Sequence, residues 1–154
     1  MRVKFRKLHP EAQVPQYQSE GAAGLDLHAR IGHEIHLQPG VRFTCPTGIA
    51  IELPVGFEAQ IRPRSGLAIK NGITVINSPG TIDSDYRGEI CVLLVNHSDR
   101  AFTIEPGMRI AQMVVAPVTR IELVREMELS ETERGANGMG STGTWAKGFE
   151  PFQV

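Results

Sequence analysis

Short segments in which apolar and polar residues alternate constrain the fold of this chain more than any other feature of its sequence. The alternation is clearest at residues 57–62, where every second residue is apolar. A period of two places successive side chains on opposite faces of an extended chain, which is the pattern of a half-buried β-strand. Similar alternating or continuously apolar segments, each predicted to be a strand, lie at residues 33–37, 41–45, 90–95, 113–118 and 121–124.

Turn sequences separate these segments and indicate the architecture. Pro-Gly or Pro-Val-Gly sequences occur at residues 38–40, 54–56, 78–80 and 105–107. Such sequences favour tight turns, and strands at this even spacing indicate an all-β sandwich or barrel. One short helix is predicted at residues 66–71, with Ser65 as its N-cap and Gly72 ending it in a left-handed conformation.

Length, charge and cysteine content exclude several classes of protein. The 154 residues suffice for one domain, and a strand-rich region up to about residue 130 precedes a polar, glycine-rich tail. A net charge of −1 provides no cationic field for nucleic acid or a membrane surface. Two cysteines are too few for a disulfide scaffold or a zinc cluster. The N-terminus lacks the apolar run of a signal peptide, and no apolar window is long enough to span a bilayer, so we expect a cytoplasmic protein.

Five short segments carry side chains that ordinary turns and strands do not need, namely residues 22–27, 62–66, 80–89, 109–112 and 134–143. The first places Asp26 in an apolar run. The second places two guanidinium groups and a hydroxyl at the start of the predicted helix, where phosphate binds well. The third combines two acids and a tyrosine in a predicted hairpin. The fifth is rich in glycine and could cradle phosphate, although it lacks the Gly-Lys-Ser/Thr ending of a P-loop.

Each segment alone has an ordinary explanation, since single acids are common in turns and single arginines are common in surface ion pairs. Together and in this order, however, the five segments resemble the five motifs of the trimeric deoxyuridine triphosphatase (dUTPase) family. The resemblance extends from about Ala22 to Gly143, and its most specific parts are residues 80–88 and 134–143.

The resemblance implies both a fold and a reaction. The fold would be a jelly-roll-like β-barrel over residues 1–130, followed by a tail over residues 131–154 that closes over a neighbour's active site in a homotrimer. The reaction would be hydrolysis of dUTP to dUMP and pyrophosphate by water attack at the α-phosphorus, which limits uracil incorporation into DNA and supplies dUMP for dTMP synthesis. Mg²⁺ would be held mainly by phosphate oxygens and water, with Asp26 acting through water.

The roles of individual residues follow from the same resemblance. Asp83 matches the general base that activates the water, and Tyr86 matches the ring that packs beneath the deoxyribose. Gln112 matches a residue that contacts phosphate or helps to hold the attacking water, and the sequence leaves both possibilities open. The other residues that match substrate-binding positions are Arg64, Ser65 and Gly66 for phosphate, Asn77, Thr81, Ile82 and Cys91 for the uracil hairpin, and Arg134, Met139, Gly140, Ser141 and Thr142 in the tail.

One position departs from the family pattern. Met139 stands where the family usually has an aromatic residue that stacks on uracil. Either the Met139 thioether lies against the base, or a later aromatic residue (Trp145, Phe149 or Phe152) covers it.

Two other functions fit the sequence less well. A dCTP deaminase, which has a similar fold, needs a glutamate immediately before the hairpin glycine, whereas Arg87 precedes Gly88 here. A non-catalytic trimeric β-protein that binds nucleotides or partners would be expected to lack the acid at position 83, and Asp83 is present. Both alternatives are therefore disfavoured.

Overall fold

The computed structural model describes residues 1–143, and the regular secondary structure within that range is β-strand apart from one short helix. The strands are β1 (Lys4–Lys7), β2 (Leu25–His28), β3 (Ile35–Leu37), β4 (Arg42–Pro46), β5 (Ile49–Glu52), β6 (Phe57–Arg62), β7 (Ile73–Val75), β8 (Gly80–Ile82), β9 (Cys91–Asn96), β10 (Phe102–Ile104) and β11 (Arg109–Pro117). A short helix, α1 (Ser65–Asn71), lies between β6 and β7. The all-β fold with one short helix is confirmed. Across residues 1–143, no helix is long and apolar enough to cross a membrane.

Antiparallel pairing brings three of the five sequence segments to one end of the main sheet. This sheet has the order β2-β11-β6-β8, and a second sheet has the order β4-β9-β7. Two strand pairs, β1 with β5 and β3 with β10, complete the pairing of the described strands. In the main sheet Gln112 on β11 lies opposite Asp26 on one side and Arg62 on the other. β11 therefore joins the first, second and fourth segments.

Aliphatic side chains from the strands and their connections form the core. The largest fully buried ones are Leu27, Leu37, Ile49, Ile73, Ile90, Leu94, Ile104 and Ile110. Burial of each such side chain stabilises the fold by about 1.5–3 kcal/mol. Asn96 is also fully buried, but its Nδ2 donates to Leu37 O at 2.8 Å and to Arg100 O at 2.7 Å. Because these polar atoms have partners, their burial carries little penalty.

The start of α1 differs from the prediction, whereas its end agrees. Arg64, not Ser65, occupies the N-cap position, and it makes no side-chain capping hydrogen bond. The helix ends at Gly72, which has a φ of 65°. A Cβ atom on Gly72 would lie 2.7 Å from Ser98 N, so both the left-handed backbone and the close packing require glycine here. Only Pro63 separates Arg64 from the end of β6, so Arg64 stays at the end of the main sheet.

Five of the six strands predicted from alternating or continuously apolar segments are confirmed, as β3, β4, β6, β9 and β11. The sixth, at residues 121–124, is wrong: this segment forms no strand, and Ile121, Leu123 and Val124 are 75%, 89% and 69% exposed. An extended segment is stable only where a neighbouring strand pairs with its backbone, and in the part of the chain that the structure describes no strand pairs with it. The chain divides here into two compact units, Met1–Arg120 and Ile121–Val154.

Candidate active site

Asp26 and two arginines form a compact charged group at one end of the main sheet. Asp26 on β2 is only 7% exposed. Its Oδ2 lies 3.1 Å from Arg109 Nη1, and its Oδ1 lies 3.3 Å from Arg64 Nε. Arg64 Nη1 also donates a hydrogen bond to Arg109 O at 3.0 Å. A buried carboxylate is stable only beside opposite charge, and here each of its oxygens has its own guanidinium group.

Gln112 completes this group, which we call the Asp26 cluster (Asp26, Arg64, Arg109 and Gln112). Gln112 Nε2 donates to Pro63 O at 2.9 Å, which fixes the orientation of the amide. Gln112 Oε1 lies over Gly24, where a Cβ atom would come within 2.7 Å of it. Because Gly24 has no side chain, the Gln112 amide can occupy the space above it.

The Asp26 cluster lines a depression of about 320 Å³. Ser65, Gly66 and residues 22–24 form most of its remaining wall. Because two guanidinium groups face one carboxylate, the depression carries net positive charge, which suits an anionic ligand.

His28 lies two residues after Asp26 and pairs with Arg109 in the sheet. Burial lowers the pKa of His28, and the positive charges of Arg109 and Arg64 lower it further, although Asp26 acts in the opposite direction. The imidazole is therefore held in its neutral form beside the Asp26 cluster.

Arg109 belongs to the fourth segment, but its sequence context predicted no role for it. Residues three apart on a regular strand point to opposite faces, so Arg109 and Gln112 would be expected to separate. The pairing of β11 with β2 shifts register between Arg109 and Ala111, which is a β-bulge, and both side chains then line the same depression. A bulge leaves no clear signal in a single sequence.

Residues 80–89, which we call the hairpin segment, form a second group of polar side chains. The predicted hairpin itself is wrong, because β8 pairs with β6 whereas β9 pairs with β4 and β7, so this segment connects the two sheets. Asp83 follows β8 and is exposed, and its carbonyl oxygen accepts a hydrogen bond from Tyr86 N at 3.2 Å. Arg87 Nη1 closes the turn by donating to Ser84 O at 2.7 Å and to Tyr86 O at 2.8 Å. Asp83 and Thr81 line a depression of about 560 Å³ that also includes Arg120. The hairpin segment thus presents a carboxylate to solvent on a tightly held turn.

The residues predicted for the uracil hairpin lie around β8 and β9. Asn77 is exposed, and its Nδ2 lies against Gly80, where a Cβ atom would be 3.0 Å away. Ile82 ends β8, and Cys91 begins β9 opposite Pro46. Burial raises the pKa of the Cys91 thiol, so the thiol remains neutral.

Within one chain, the structure does not bring Asp83 to the Asp26 cluster. Ile82 pairs with Ala59 on β6, so Asp83 is level with Glu58, whereas Gln112 pairs with Arg62 four residues further along β6. Four residues at ~3.3 Å and two strand spacings of ~4.8 Å separate the two positions by about 16 Å. The two candidate catalytic side chains therefore lie in separate depressions of the same chain.

The sequence motifs and the strand topology agree with one family of known proteins. A sequence model of the dUTPase family matches residues 10–143. This chain belongs to the dUTPase family. The deoxyuridine 5′-triphosphate nucleotidohydrolase of Nautilia profundicola is 57% identical over 143 residues, which cover 93% of this chain and 99% of that protein. The enzyme described here hydrolyses dUTP to dUMP and pyrophosphate.

Solved dUTPase structures share the fold. A mutant dUTPase of Staphylococcus bacteriophage 80alpha with dUpNHpp has a TM-score of 0.84 at 25% identity, covering 92% of this chain and 98% of that one. A mutant dUTPase of S. aureus phage phi11, whose structure concerns the coordination of a structural Mg(II) ion, has a TM-score of 0.76 at 21% identity, covering 85% of this chain and all of that one (100%).

The residues that match the fifth dUTPase motif lie in the second unit, Ile121–Val154. Arg134 Nε donates to Asn137 O at 2.9 Å, and two further turns close at Ser141 and Gly143. Arg134, Gly140, Ser141 and Thr142 are exposed, and Met139 is fully exposed. The alternative candidates for covering uracil, Trp145, Phe149 and Phe152, lie outside the described residues.

Proposed function

We propose that dUTP is hydrolysed in composite sites, in which the Asp26 cluster of one chain holds the triphosphate and Asp83 of another chain activates the attacking water. The observation that carries this proposal is the separation of about 16 Å between the Asp83 and Gln112 positions, derived from the strand register. A general base must be within about 3 Å of the water that it activates. Two groups that act on one water must therefore come from different chains.

Water attack at the α-phosphorus requires a proton acceptor and a fixed nucleophile. Asp83 is exposed on its turn, so its carboxylate is free to accept a proton from a water at the reacting phosphorus. The orientation of Gln112 supports one of the two roles left open by the sequence. Since Nε2 is engaged with Pro63 O, the group that remains over Gly24 is the acceptor Oε1. An acceptor binds a water hydrogen and repels a phosphate oxygen, so we assign Gln112 to the water.

Phosphate binding is assigned to the remaining groups of the depression. Arg64 and Arg109 supply the positive charge, and Asp26 holds both guanidinium groups in place before substrate arrives. Ser65 and Gly66 lie in the wall of the same depression, where a hydroxyl and a backbone N–H suit phosphate oxygens. Groups that are positioned in advance stabilise developing negative charge without further reorganisation.

Mg²⁺ is assigned to the substrate phosphates and water. Across the described part of the chain, no three His, Cys, Asp or Glu side chains are grouped to hold a metal ion. Mg²⁺ commonly binds through phosphate oxygens and waters in such sites. Each Asp26 oxygen has one guanidinium partner and keeps lone-pair capacity for a metal-bound water, so Asp26 fits its predicted indirect role. The ion would neutralise phosphate charge during the reaction.

Uracil and deoxyribose are assigned to the hairpin segment and the residues beside it. Asn77 and the backbone around Ile82 and Cys91 would read the polar edge of uracil, and a tight pocket there would reject a 5-methyl group. The Tyr86 ring, 43% exposed, would pack beneath the deoxyribose, where a ribose 2′-hydroxyl clashes. Neutral groups suit this part of the site because uracil itself is uncharged.

A homotrimer with shared sites satisfies these requirements. A closed ring of identical chains places the hairpin segment of each chain against the Asp26 cluster of the next. Exposed apolar residues just before the tail support burial against another chain, and they are Ile121, Leu123, Val124, Met127 and Leu129. We assign residues 131–154 as the segment that closes over a neighbouring site, with Arg134 and residues 140–142 on the β- and γ-phosphates. The cytoplasmic location stays a prediction from the sequence.

Subunit mixing tests the composite site. Asp83→Asn and Gln112→Ala proteins, each nearly inactive alone, are unfolded and refolded together in equal amounts. Random assembly leaves an intact hairpin segment beside an intact Asp26 cluster in about a quarter of the sites, so about a quarter of wild-type activity should return. The control mixes Asp83→Asn with the double variant Asp83→Asn/Gln112→Ala, in which no intact hairpin segment exists. Recovery no greater than in the control would contradict the proposal.

A further inference from the structure

Gly88 lies where no side chain fits. A Cβ atom on Gly88 would lie 2.3 Å from Tyr86 Oη, 2.4 Å from Tyr86 Cζ and 2.9 Å from Tyr86 Cε2. All three atoms belong to one rigid aromatic group, so the whole ring would have to move. Gly88 is not among the glycines with positive φ, so its backbone conformation is open to alanine. Its lack of a side chain is therefore explained by the Tyr86 ring.

The tip of the Tyr86 ring has a second support. Tyr86 Oη donates a hydrogen bond to Glu89 O at 3.0 Å. Glu89 is itself anchored, because its Oε1 accepts a hydrogen bond from Gly48 N at 2.6 Å. The ring thus contacts the backbone of Gly88 and is tied at its phenol, while 43% of Tyr86 remains exposed.

We propose that Gly88 is a specificity-determining residue, which supports the Tyr86 ring in the one position that admits deoxyribose and excludes the 2′-hydroxyl of ribose. This inference rests on the role proposed above for Tyr86. A methyl group at position 88 displaces the ring and breaks its bond to Glu89 O. A ring without either support no longer presents a fixed surface to the sugar, and the discrimination between the two sugars falls.

The measurement is the ratio of kcat/KM for dUTP to kcat/KM for UTP. Gly88→Ala should lower this ratio by about 10-fold or more, towards the value of Tyr86→Ala. Gly32→Ala is the matched control, because a Cβ atom there meets nothing within 4 Å and the ratio should be unchanged. Wild-type selectivity in Gly88→Ala would overturn the inference.

A double-mutant cycle shows whether Gly88 acts through the ring. In the Tyr86→Ala background the methyl group has no ring to displace, so Gly88→Ala should change the ratio no further. An equal decrease in both backgrounds would overturn the inference. If Gly88→Ala alone fails to fold, the double variant Tyr86→Ala/Gly88→Ala should still fold, because it has no ring for the methyl group to meet. Failure of both variants to fold would also overturn the inference. Wild-type selectivity in Tyr86→Ala would instead contradict the proposed role of Tyr86.

Discussion

The Asp26 cluster and the hairpin segment, which carries Asp83, hold their polar side chains in opposite ways. In the Asp26 cluster the side chains hold one another, since a nearly buried carboxylate joins two guanidinium groups. In the hairpin segment the bonds fix the turn, through Tyr86 N and the Arg87 guanidinium, and the Asp83 side chain stays exposed. Within residues 1–143, no side chain pairs with the Asp83 carboxylate.

This difference matches the chemistry assigned to each region. A group that binds phosphates must keep its charge and position throughout the reaction, and mutual ion pairs secure both. A general base must change its protonation state, and a permanent cationic partner would hold its proton affinity too low. Changing one region at a time, the tail, or His28 beside the Asp26 cluster therefore tests this comparison.

Removing the base should have the largest effect. Asp83→Asn keeps the shape of the side chain but cannot accept a proton, so kcat should fall by ~10²–10⁴. Binding of the non-hydrolysable analogue dUpNHpp should be retained, as measured by calorimetry. Asp85→Asn, which alters an exposed acid of the same turn, is the matched control and should keep kcat within a few-fold. Equal losses in both variants would show that Asp83 is not the base.

Opening the Asp26 cluster should affect both substrate binding and stability. In Asp26→Asn the two arginines lose their shared anchor, and KM for dUTP should rise by roughly 10–100-fold. Arg64 and Arg109 are 28% and 44% exposed and can turn to solvent, so the free energy of unfolding should fall by only about 1–3 kcal/mol. Urea denaturation and steady-state kinetics measure the two effects.

Asp99→Asn provides the comparison for the Asp26 variant. Asp99 and Arg100 form an ion pair in which the side chains are 90% and 89% exposed. Loss of this pair should change neither KM for dUTP nor the free energy of unfolding measurably. An unchanged KM in Asp26→Asn would mean that the arginines keep their positions without the carboxylate.

An aromatic residue at position 139 of the tail should strengthen the binding of dUTP. Stacking of an aromatic ring on a base stabilises the complex by ~0.5–1.5 kcal/mol more than the buried area alone accounts for. A free-energy difference of about 1.4 kcal/mol changes the affinity about tenfold. Met139→Phe should therefore lower KM for dUTP by up to about tenfold. If KM is unchanged and Trp145→Ala weakens dUpNHpp binding instead, Trp145 covers uracil.

The smallest effect concerns the pH dependence of stability beside the Asp26 cluster. Burial lowers the pKa of His28 below its ordinary value of 6.5. Below about pH 6.5 the unfolded chain therefore binds a proton that folded His28 does not. The stability that the protein gains from neutral His28 is therefore complete above about pH 6.5, and it is lost as the pH falls towards the lowered pKa of the folded state. Urea midpoints between pH 8 and pH 5 should decline less in His28→Gln than in the wild-type protein, and parallel curves would contradict the assignment.

Local patterns in the sequence were sufficient for the all-β class and for five of the eleven strands, whereas the proposed site residues other than Arg109 came from the resemblance to the dUTPase family. Alternation predicted β6, and a continuous apolar run predicted β9, because both patterns are properties of neighbouring residues alone. Gly72 ended the helix as predicted for the same local reason. Six strands were not predicted, namely β1, β2, β5, β7, β8 and β10. Each has only three or four residues, which is too short to show a clear period of two.

Three features were decided only by the tertiary structure, because each depends on contacts between residues far apart in the chain. The bulge between Arg109 and Ala111 depends on how β11 pairs with β2, and it brings Arg109 into the Asp26 cluster. The failure of residues 121–124 to form a strand depends on whether a partner strand lies beside them. The separation of Asp83 from Gln112 depends on the registers of three strands. The sequence by itself determined the family, the all-β fold and the five segments, whereas pairing and register decided which side chains of one chain meet.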